Sequence, residues 1–340
     1  MAEAIVHSES SDESVPANLS VVVLLHEDDW SDHLADLTKS GLTDDQPWTP
    51  PVWFYDEVGS ELFDQITRLP EYYPTRAERA ILAEYAGEII ELANPDTLVE
   101  LGAGSSEKTQ LLLTAADDQG LLRAFVPVDC SHEFLAAAAA DVAAAYPHVE
   151  VRAVVADFNA HLSHLGHSER RMVLFLGSTI GNFDDPHRLD FLTSVAEDLG
   201  PGDTFLLGTD LIKDPARLVA AYDDAAGVTA AFNENATRVM NRQLGANFDV
   251  SQFRHRAVWE PVKHRIEMHL VAQSDQEVRF NGLDGLEVQF AQGQHLQTEI
   301  STKFTQDIVD SELRQVGLEP IGHWSDDGED FLLTLSRLRR

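Results

Sequence analysis

Residues 97–104 read Thr97-Leu98-Val99-Glu100-Leu101-Gly102-Ala103-Gly104, an apolar run bounded by Asp96 and closed by a G-x-G turn. Five residues of this kind between turn signals read as a buried strand. The glycines let the backbone turn sharply and come close to a ligand, and the amides of a following helix can face an anionic group. A dinucleotide fingerprint needs a third glycine at position 107, where Glu107 stands, and this counts against a nicotinamide cofactor.

The pattern repeats downstream. A helix runs to about 116, a second strand covers 124–128, an Ala-rich helix starts at 131, and a third strand spans 149–155. A fourth strand at 172–176, a helix at 186–199 and a fifth strand at 204–207 follow. Strands alternating with helices at this spacing imply βαβ units and a parallel sheet covered on both faces. Pro127 is awkward for an inner strand because it lacks a ladder donor. The second strand ends at Asp129, whose carboxylate can accept both hydroxyls of a ribose. The third is followed by Asp157-Phe158, a carboxylate for an adenine amino group and a ring to cover its face. Each has an ordinary structural explanation alone, but together they lie where open α/β sheets bind ligands. With Glu100 before the turn they suit S-adenosylmethionine, although the turn by itself equally fits a purely structural bend.

Upstream, residues 1–20 are acidic and Ser-rich and read as a disordered tail, with no basic segment of the secretory type. Residues 28–38 are helical, 41–51 form a Pro-containing loop, and Thr75 is the expected N-cap of a long helix toward Leu92. Beyond Asp210, two helical segments at 212–226 and 228–242 precede alternating strands between about 262 and 301. A helix from Thr305 and strands near 319–325 and 330–336 should finish the parallel sheet.

The charge is extreme: 58 Asp and Glu against 24 Lys and Arg, a net −34. Phosphate neutralisation needs clustered cations, so nucleic acid and anionic membrane surfaces are poor partners. Five lysines among so many carboxylates point to a halophile-like surface suited to high salt. No apolar run approaches the ~20 residues that span a bilayer, and the lone Cys130 fits a reducing, cytoplasmic setting. The spacing of His161, His164 and His167 does not put all three on one helix face, so no metal site is expected.

Residues 176–183, Leu176-Gly177-Ser178-Thr179-Ile180-Gly181-Asn182-Phe183, leave room for a substrate, and Asn182 can both donate and accept. Trp53-Phe54-Tyr55-Asp56, Glu71-Tyr72-Tyr73-Pro74-Thr75-Arg76, 98–108 and 175–182 closely resemble the histidine-specific Nα-methyltransferases of ergothioneine biosynthesis. So do 208–211, 221–227, Arg265-Ile266-Glu267-Met268, Thr298-Glu299-Ile300-Ser301 and Lys303-Phe304, so that the likeness runs from about residue 50 to the C-terminus.

The resemblance implies an α/β fold: a Rossmann-type methyltransferase with a mostly parallel sheet (77–210 and 304–340) plus a second α+β substrate-binding lobe (21–76 and 211–303). It implies contacts to S-adenosyl-L-methionine from Gly102, Gly104, Lys108, Asp129, Asp157 and Phe158. It assigns histidine to Tyr72, Asn182, Tyr222, Glu299 and Ser301, with Tyr55 near the amine, so that Tyr55 and Asn182 are the candidate catalytic residues. The implied product is trimethylhistidine (hercynine), made by a monomer, with no metal. Glu299 and Ser301, two apart on a strand, share a face and can satisfy an imidazole, although an exposed strand face would also read Glu-x-Ser. A methyltransferase of the same architecture acting on another amino acid or amine, or a silent S-adenosylmethionine-binding partner, are the competing readings.

Overall fold

The computed structural model describes residues 16–25, 27–104, 106–166 and 168–339. Six strands come first: β1 (Leu19–Val23), β2 (Thr97–Leu101), β3 (Ala124–Asp129), β4 (Glu150–Val155), β5 (Arg171–Phe175) and β6 (Thr204–Asp210). After two helices, Pro215–Tyr222 and Val228–Gln243, come β7 (Phe253–Glu260), β8 (Arg265–Ala272), β9 (Gln276–Phe280), β10 (Leu286–Phe290) and β11 (His295–Thr302). The helix Gln306–Gln315 then leads to β12 (Leu318–Ser325) and β13 (Phe331–Leu338).

Among the described residues, the main sheet runs β1-β4-β3-β2-β5-β6-β13-β12. Every residue of β2, β5 and β6 is buried, as expected of parallel strands covered on both faces. On one face, Ile81, Leu82, Ile89 and Ile90 of helix Pro74–Ala93 pack with helices Gln110–Asp118 and His132–Ala145. On the other, Phe191, Leu192 and Val195 of helix Asp185–Asp198 pack with Val309 and Leu313 of the last helix. The chain leaves β2 toward β3 and β4, then crosses back so that β5 lies on the other side of β2. The carboxyl ends of β2 and β5 therefore flank the switch point, where such sheets open a crevice.

Two sequence expectations change at the sheet edges. Residues 1–15 of the expected acidic tail lie outside the described residues, but Leu19–Val23 pairs in parallel with β4. The tail thus does not extend to residue 20, and 21–23 belong to the main sheet rather than to the 21–76 lobe. Here a five-residue apolar run outweighs its acidic surroundings. The final strands also join the sheet, but antiparallel: β13 pairs antiparallel with both β6 and β12. Only the short turn 326–330 separates them, and parallel strands need a crossover of a dozen or more residues. Pro127 does sit in an inner strand; the β3–β4 partners stop at Phe125 and resume at Val128, so its missing donor falls in the interrupted stretch.

A second apolar cluster joins Trp53, Phe54 and Ile66 to Phe232, Val239 and Met240 of helix Val228–Gln243 and to the antiparallel sheet β11-β8-β7. β7 was not foreseen. The long helix starts at Pro74 with Tyr73 as its N-cap, not at Thr75, because proline's fixed φ suits the first helical position. The two parts are stitched by backbone bonds: Phe304 N–H donates to the Asp210 carbonyl at 2.8 Å, and Ile212 N–H to the Phe304 carbonyl at 2.8 Å. Thr49 N–H likewise reaches the Gln297 carbonyl at 2.9 Å, laying residues 47–49 along β11.

Candidate functional site

At the end of β2 the backbone turns through Gly102 (φ 68°) and Gly104 (φ 50°), values that favour glycine. A Cβ on Gly102 would come no closer than 3.8 Å to a neighbour, the Phe158 ring, and one on Gly104 would meet nothing within 4 Å. The turn is an open cradle with an aromatic ring over one side. Beneath it lies Glu100, whose oxygens accept from Ser106 Oγ at 2.9 Å and from Thr109 Oγ1. Burial pushes its carboxyl up to about 7, against those two bonds. Glu100 therefore braces the loop from below rather than meeting a ligand.

Asp129 ends β3 with one oxygen accepting from Gly104 N–H at 3.1 Å and the other from Ser131 N–H at 3.0 Å. Each oxygen keeps a lone pair for a hydroxyl donor. Asp157 follows β4, and the Phe158 ring is fixed edge-on against Phe175 (5.4 Å) and Phe191 (5.9 Å). Lys108 forms an ion pair with Glu78, which is fully buried on the helix Pro74–Ala93. The other Glu78 oxygen accepts from Gly177 N–H at 2.8 Å. Glu78 thus ties the carboxyl end of β5 to the lysine that follows the glycine turn. A Cβ at Gly208 would lie 2.5 Å from that same oxygen.

The second cluster presents polar groups of its own. β11 carries a bulge between Gln297 and Glu299, so that Gln297 faces His269 while Glu299 faces Met268. Paired residues share a face. The bulge therefore brings Glu299 and Ser301 onto the face of Met268 and Ile266, together with the buried Leu296 opposite Leu270. Asn182, ending a 3-10 turn after β5, donates to Glu299 Oε1 at 3.3 Å. Burial pushes the Glu299 carboxyl up to about 7, moderated by the Lys303 charge and the Asn182 bond. Tyr222, the last residue of its helix, lies 2.9 Å from Ser301 Oγ through its hydroxyl. Burial first, then the charges of Asp210 and Glu299, hold this phenol well above its usual range.

Aromatic rings connect the site to the entrance. Tyr222 meets Tyr72 at 6.1 Å, Tyr72 meets Phe63 at 6.3 Å, and Phe63 meets Tyr55 at 5.9 Å. Tyr55 also touches Phe232 at 5.7 Å and remains 50% exposed. The structure thus brings together Asn182, Tyr222, Glu299 and Ser301 by direct bonds, and Tyr55 and Tyr72 by ring contacts. Gly102, Gly104, Lys108, Asp129, Asp157 and Phe158 line the carboxyl edge of the sheet. His167 lies outside the described residues, and the His161 and His164 rings stand 6.1 Å apart.

Sequence reasoning passed over the residues beneath the site. Glu78 lies on the apolar stripe of its helix with Ala77, Ile81 and Leu82, a placement that already sets a carboxylate apart. Lys303 is only 1% exposed and forms an ion pair with Asp210 at 2.8 Å. Nothing in the alternation of β11 announces the bulge.

A family model described as histidine-specific, S-adenosylmethionine-dependent methyltransferase matches residues 34–338. A histidine N-alpha-methyltransferase of Mycolicibacterium smegmatis is 51% identical over 318 residues, covering 94% of this chain and 99% of that one. Its counterpart in Mycobacterium tuberculosis is 51% identical over 297 residues, covering 87% and 92%. Ergothioneine biosynthesis protein 1 of Neurospora crassa is 29% identical over 309 residues, covering 85% of this chain and 33% of that longer protein.

Proposed function

Because the chain belongs to the family of histidine-specific, S-adenosylmethionine-dependent methyltransferases, we propose that it converts L-histidine to Nα,Nα,Nα-trimethylhistidine (hercynine) by three methyl transfers. It is a histidine methyltransferase, and the reaction belongs to ergothioneine biosynthesis. The observation that carries the finer reading is the row Glu299–Ser301, bonded to Asn182 and Tyr222.

The open glycine cradle, with carboxylates at the ends of β3 and β4, fits the cofactor. Gly102 and Gly104 admit the methionyl part, Lys108 faces its carboxylate, Asp129 takes the ribose hydroxyls, and Asp157 and Phe158 hold adenine. When bound, S-adenosylmethionine supplies a methyl on sulfonium for in-line displacement by an amine.

The chain's own residues contribute position. Glu299 and Ser301 hold the imidazole, and rejecting guests without ring donors and acceptors follows from leaving those buried groups unpaired. Asn182 and Tyr222 hold the amino-acid carboxylate and backbone. Tyr55 and Tyr72 border the amine, and their ring faces favour the increasingly cationic product. Attack needs a neutral amine and close alignment more than acid–base chemistry, so holding the guest supplies much of the rate.

The division into a core (77–210, 304–340, joined by β1) and a histidine-binding lobe, the monomeric state, the cytoplasmic location and the absence of nucleic-acid partners belong to the same proposal. Among the described residues, no helix is long and apolar enough to cross a membrane. The test is to incubate purified protein with S-adenosylmethionine and each amino acid singly and weigh the products. Histidine should gain three methyls; another acceptor, or no turnover at any salt, overturns the reading.

A further inference from the structure

Below the histidine row lies a charged group that the reaction does not touch. Lys303 follows β11, fully buried, and its ammonium has three acceptors: Asp210 Oδ2 at 2.8 Å, Tyr222 Oη at 2.9 Å and Ser301 Oγ at 2.7 Å. Asp210, at the end of β6, also accepts from the Tyr73 hydroxyl at 2.9 Å and from Lys213 at 2.5 Å. Lys213 in turn reaches the carbonyls of Leu211 (2.7 Å) and Asp330 (2.8 Å). Two lysines thus share one carboxylate, with Glu299 near Lys303 and Asp330 near Lys213 as further acids beside the cluster.

An ammonium has three donors and no acceptor, so Lys303 occupies a lone pair on both hydroxyl oxygens. Tyr222 and Ser301 are bonded to each other, and only one of them donates in that bond. The pair is left with one unused hydroxyl proton. If Tyr222 donates, both Ser301 lone pairs are filled, and Ser301 must donate outward toward the guest ring. If Ser301 donates, it keeps a lone pair that could accept a second ring N–H, so the ring would be a cation. That cation would sit beside the Lys303 ammonium in a site of low dielectric, where like charges repel strongly.

We propose that Lys303 is a positioning residue that makes Ser301 a donor, so that histidine binds with a neutral imidazole, its N–H on Glu299 and its bare nitrogen on Ser301. This rests on the proposed binding of histidine by Glu299 and Ser301. The groups that face Lys303 are Asp210 from β6, Tyr222 from its helix, Ser301 and Glu299 from β11, with Lys213 and Tyr73 across Asp210.

The experiment compares L-histidine with β-(1,2,4-triazol-3-yl)-L-alanine, whose ring stays uncharged from mildly acidic to basic pH. Titration of Glu299 and of the enzyme affects both guests, so the ratio of their kcat/KM values isolates the histidine ring. At about pH 5.5 only about a tenth of free histidine carries a neutral ring. For the wild type the ratio should therefore fall about ten-fold between about pH 8 and pH 5.5. In Lys303→Met the fall should shrink to less than about three-fold, and the histidine KM at pH 8 should rise roughly thirty-fold, the value of a hydrogen bond to a charged group. The dissociation constant for S-adenosylhomocysteine should stay the same.

Lys303→Met still leaves Asp210 paired with Lys213 and bonded to Tyr73, but it takes one member out of a buried charged group, so Lys303→Met/Asp210→Asn/Lys213→Met is measured as well. Replacing a buried group of ion pairs in full is often tolerated. The triple variant should be at least as stable to heat as Lys303→Met while keeping the flat ratio and the raised KM. A flat ratio in the wild type, an unchanged ratio in Lys303→Met, or recovery of the KM in the triple variant would each overturn the inference. If the wild type methylates neither guest, the proposed function itself fails; if it methylates histidine with a flat ratio, only the role of Lys303 fails.

Discussion

Replacing Glu299 by Gln should make the protein more stable near neutral pH while it loses its hold on histidine. The Glu299 carboxyl is partly buried, and burial moves it from an ordinary 4.5 to about 7 in spite of Lys303 and Asn182. A displacement of that size is worth about 3 kcal/mol of preference for the neutral form. The folded protein therefore holds a proton that the unfolded chain has released. The associated stability is present below about pH 4.5 and is lost as pH rises through about 7. Glutamine keeps the shape and the acceptor for Asn182 but never ionises, so it avoids that loss. Urea unfolding should find the variant close to wild type at about pH 5 and more stable at about pH 8, by up to about 3 kcal/mol less what water at the rim already screens. Glu100, also displaced to about 7, is present in both proteins and cancels. In parallel, the histidine KM at pH 8 should rise about 10- to 100-fold, because a charge-assisted bond becomes a neutral one. A variant less stable than wild type at pH 8, or stabilised equally at both pH values, would refute the reasoning. So would an unchanged KM.

Other substitutions should separate the two halves of the site. Lys108→Met should weaken S-adenosylhomocysteine binding about ten-fold or more by calorimetry while changing the histidine KM little. Glu78→Gln should do the same and lower the thermal midpoint, since it leaves Lys108 unpaired and weakens the bond to Gly177. Phe158→Ala should cost cofactor affinity through the exposed adenine face, measured by the same titration, with histidine recognition again spared. Raising salt from about 0.1 to 1 M shortens the screening length from about 10 to 3 Å, and with a net charge of −34 the melting temperature should climb. A falling midpoint would argue against a halophile-like surface.

The central parallel strands β2, β5 and β6 were legible because they are buried on both sides and read as largely apolar runs, from Thr97–Leu101 to Thr204–Asp210. Leu19–Val23 has the same signature but sits beside an acidic, Ser-rich stretch, and composition misled where local pattern did not. The direction of the last two strands depends on the length of the turn 326–330, which patterning alone does not weigh. The proposed cofactor residues stand out because strand ends are where such sheets bind ligands, a rule of topology. The row proposed to hold histidine stands out only through resemblance. Counting strictly by twos from the core residue Leu296 would point Thr298 and Ile300 inward and turn Glu299 and Ser301 to solvent. A bulge reverses that parity, and it is a property of backbone hydrogen bonding that no single side chain signals. Lys303 and Glu78 were passed over because buried charges contradict the rule by which cores are recognised.

The extra residue in β11 separates two duties along one strand. Ahead of it, Leu296 anchors the strand in the apolar interior; past it stand positions 299 and 301, the two proposed to address the guest. On the proposed reading, selection can rewrite the amino acid accepted by changing those two letters while the anchor stays untouched. A family built this way could diversify its guests and keep its scaffold, with the methyl-donor half unaware of the exchange.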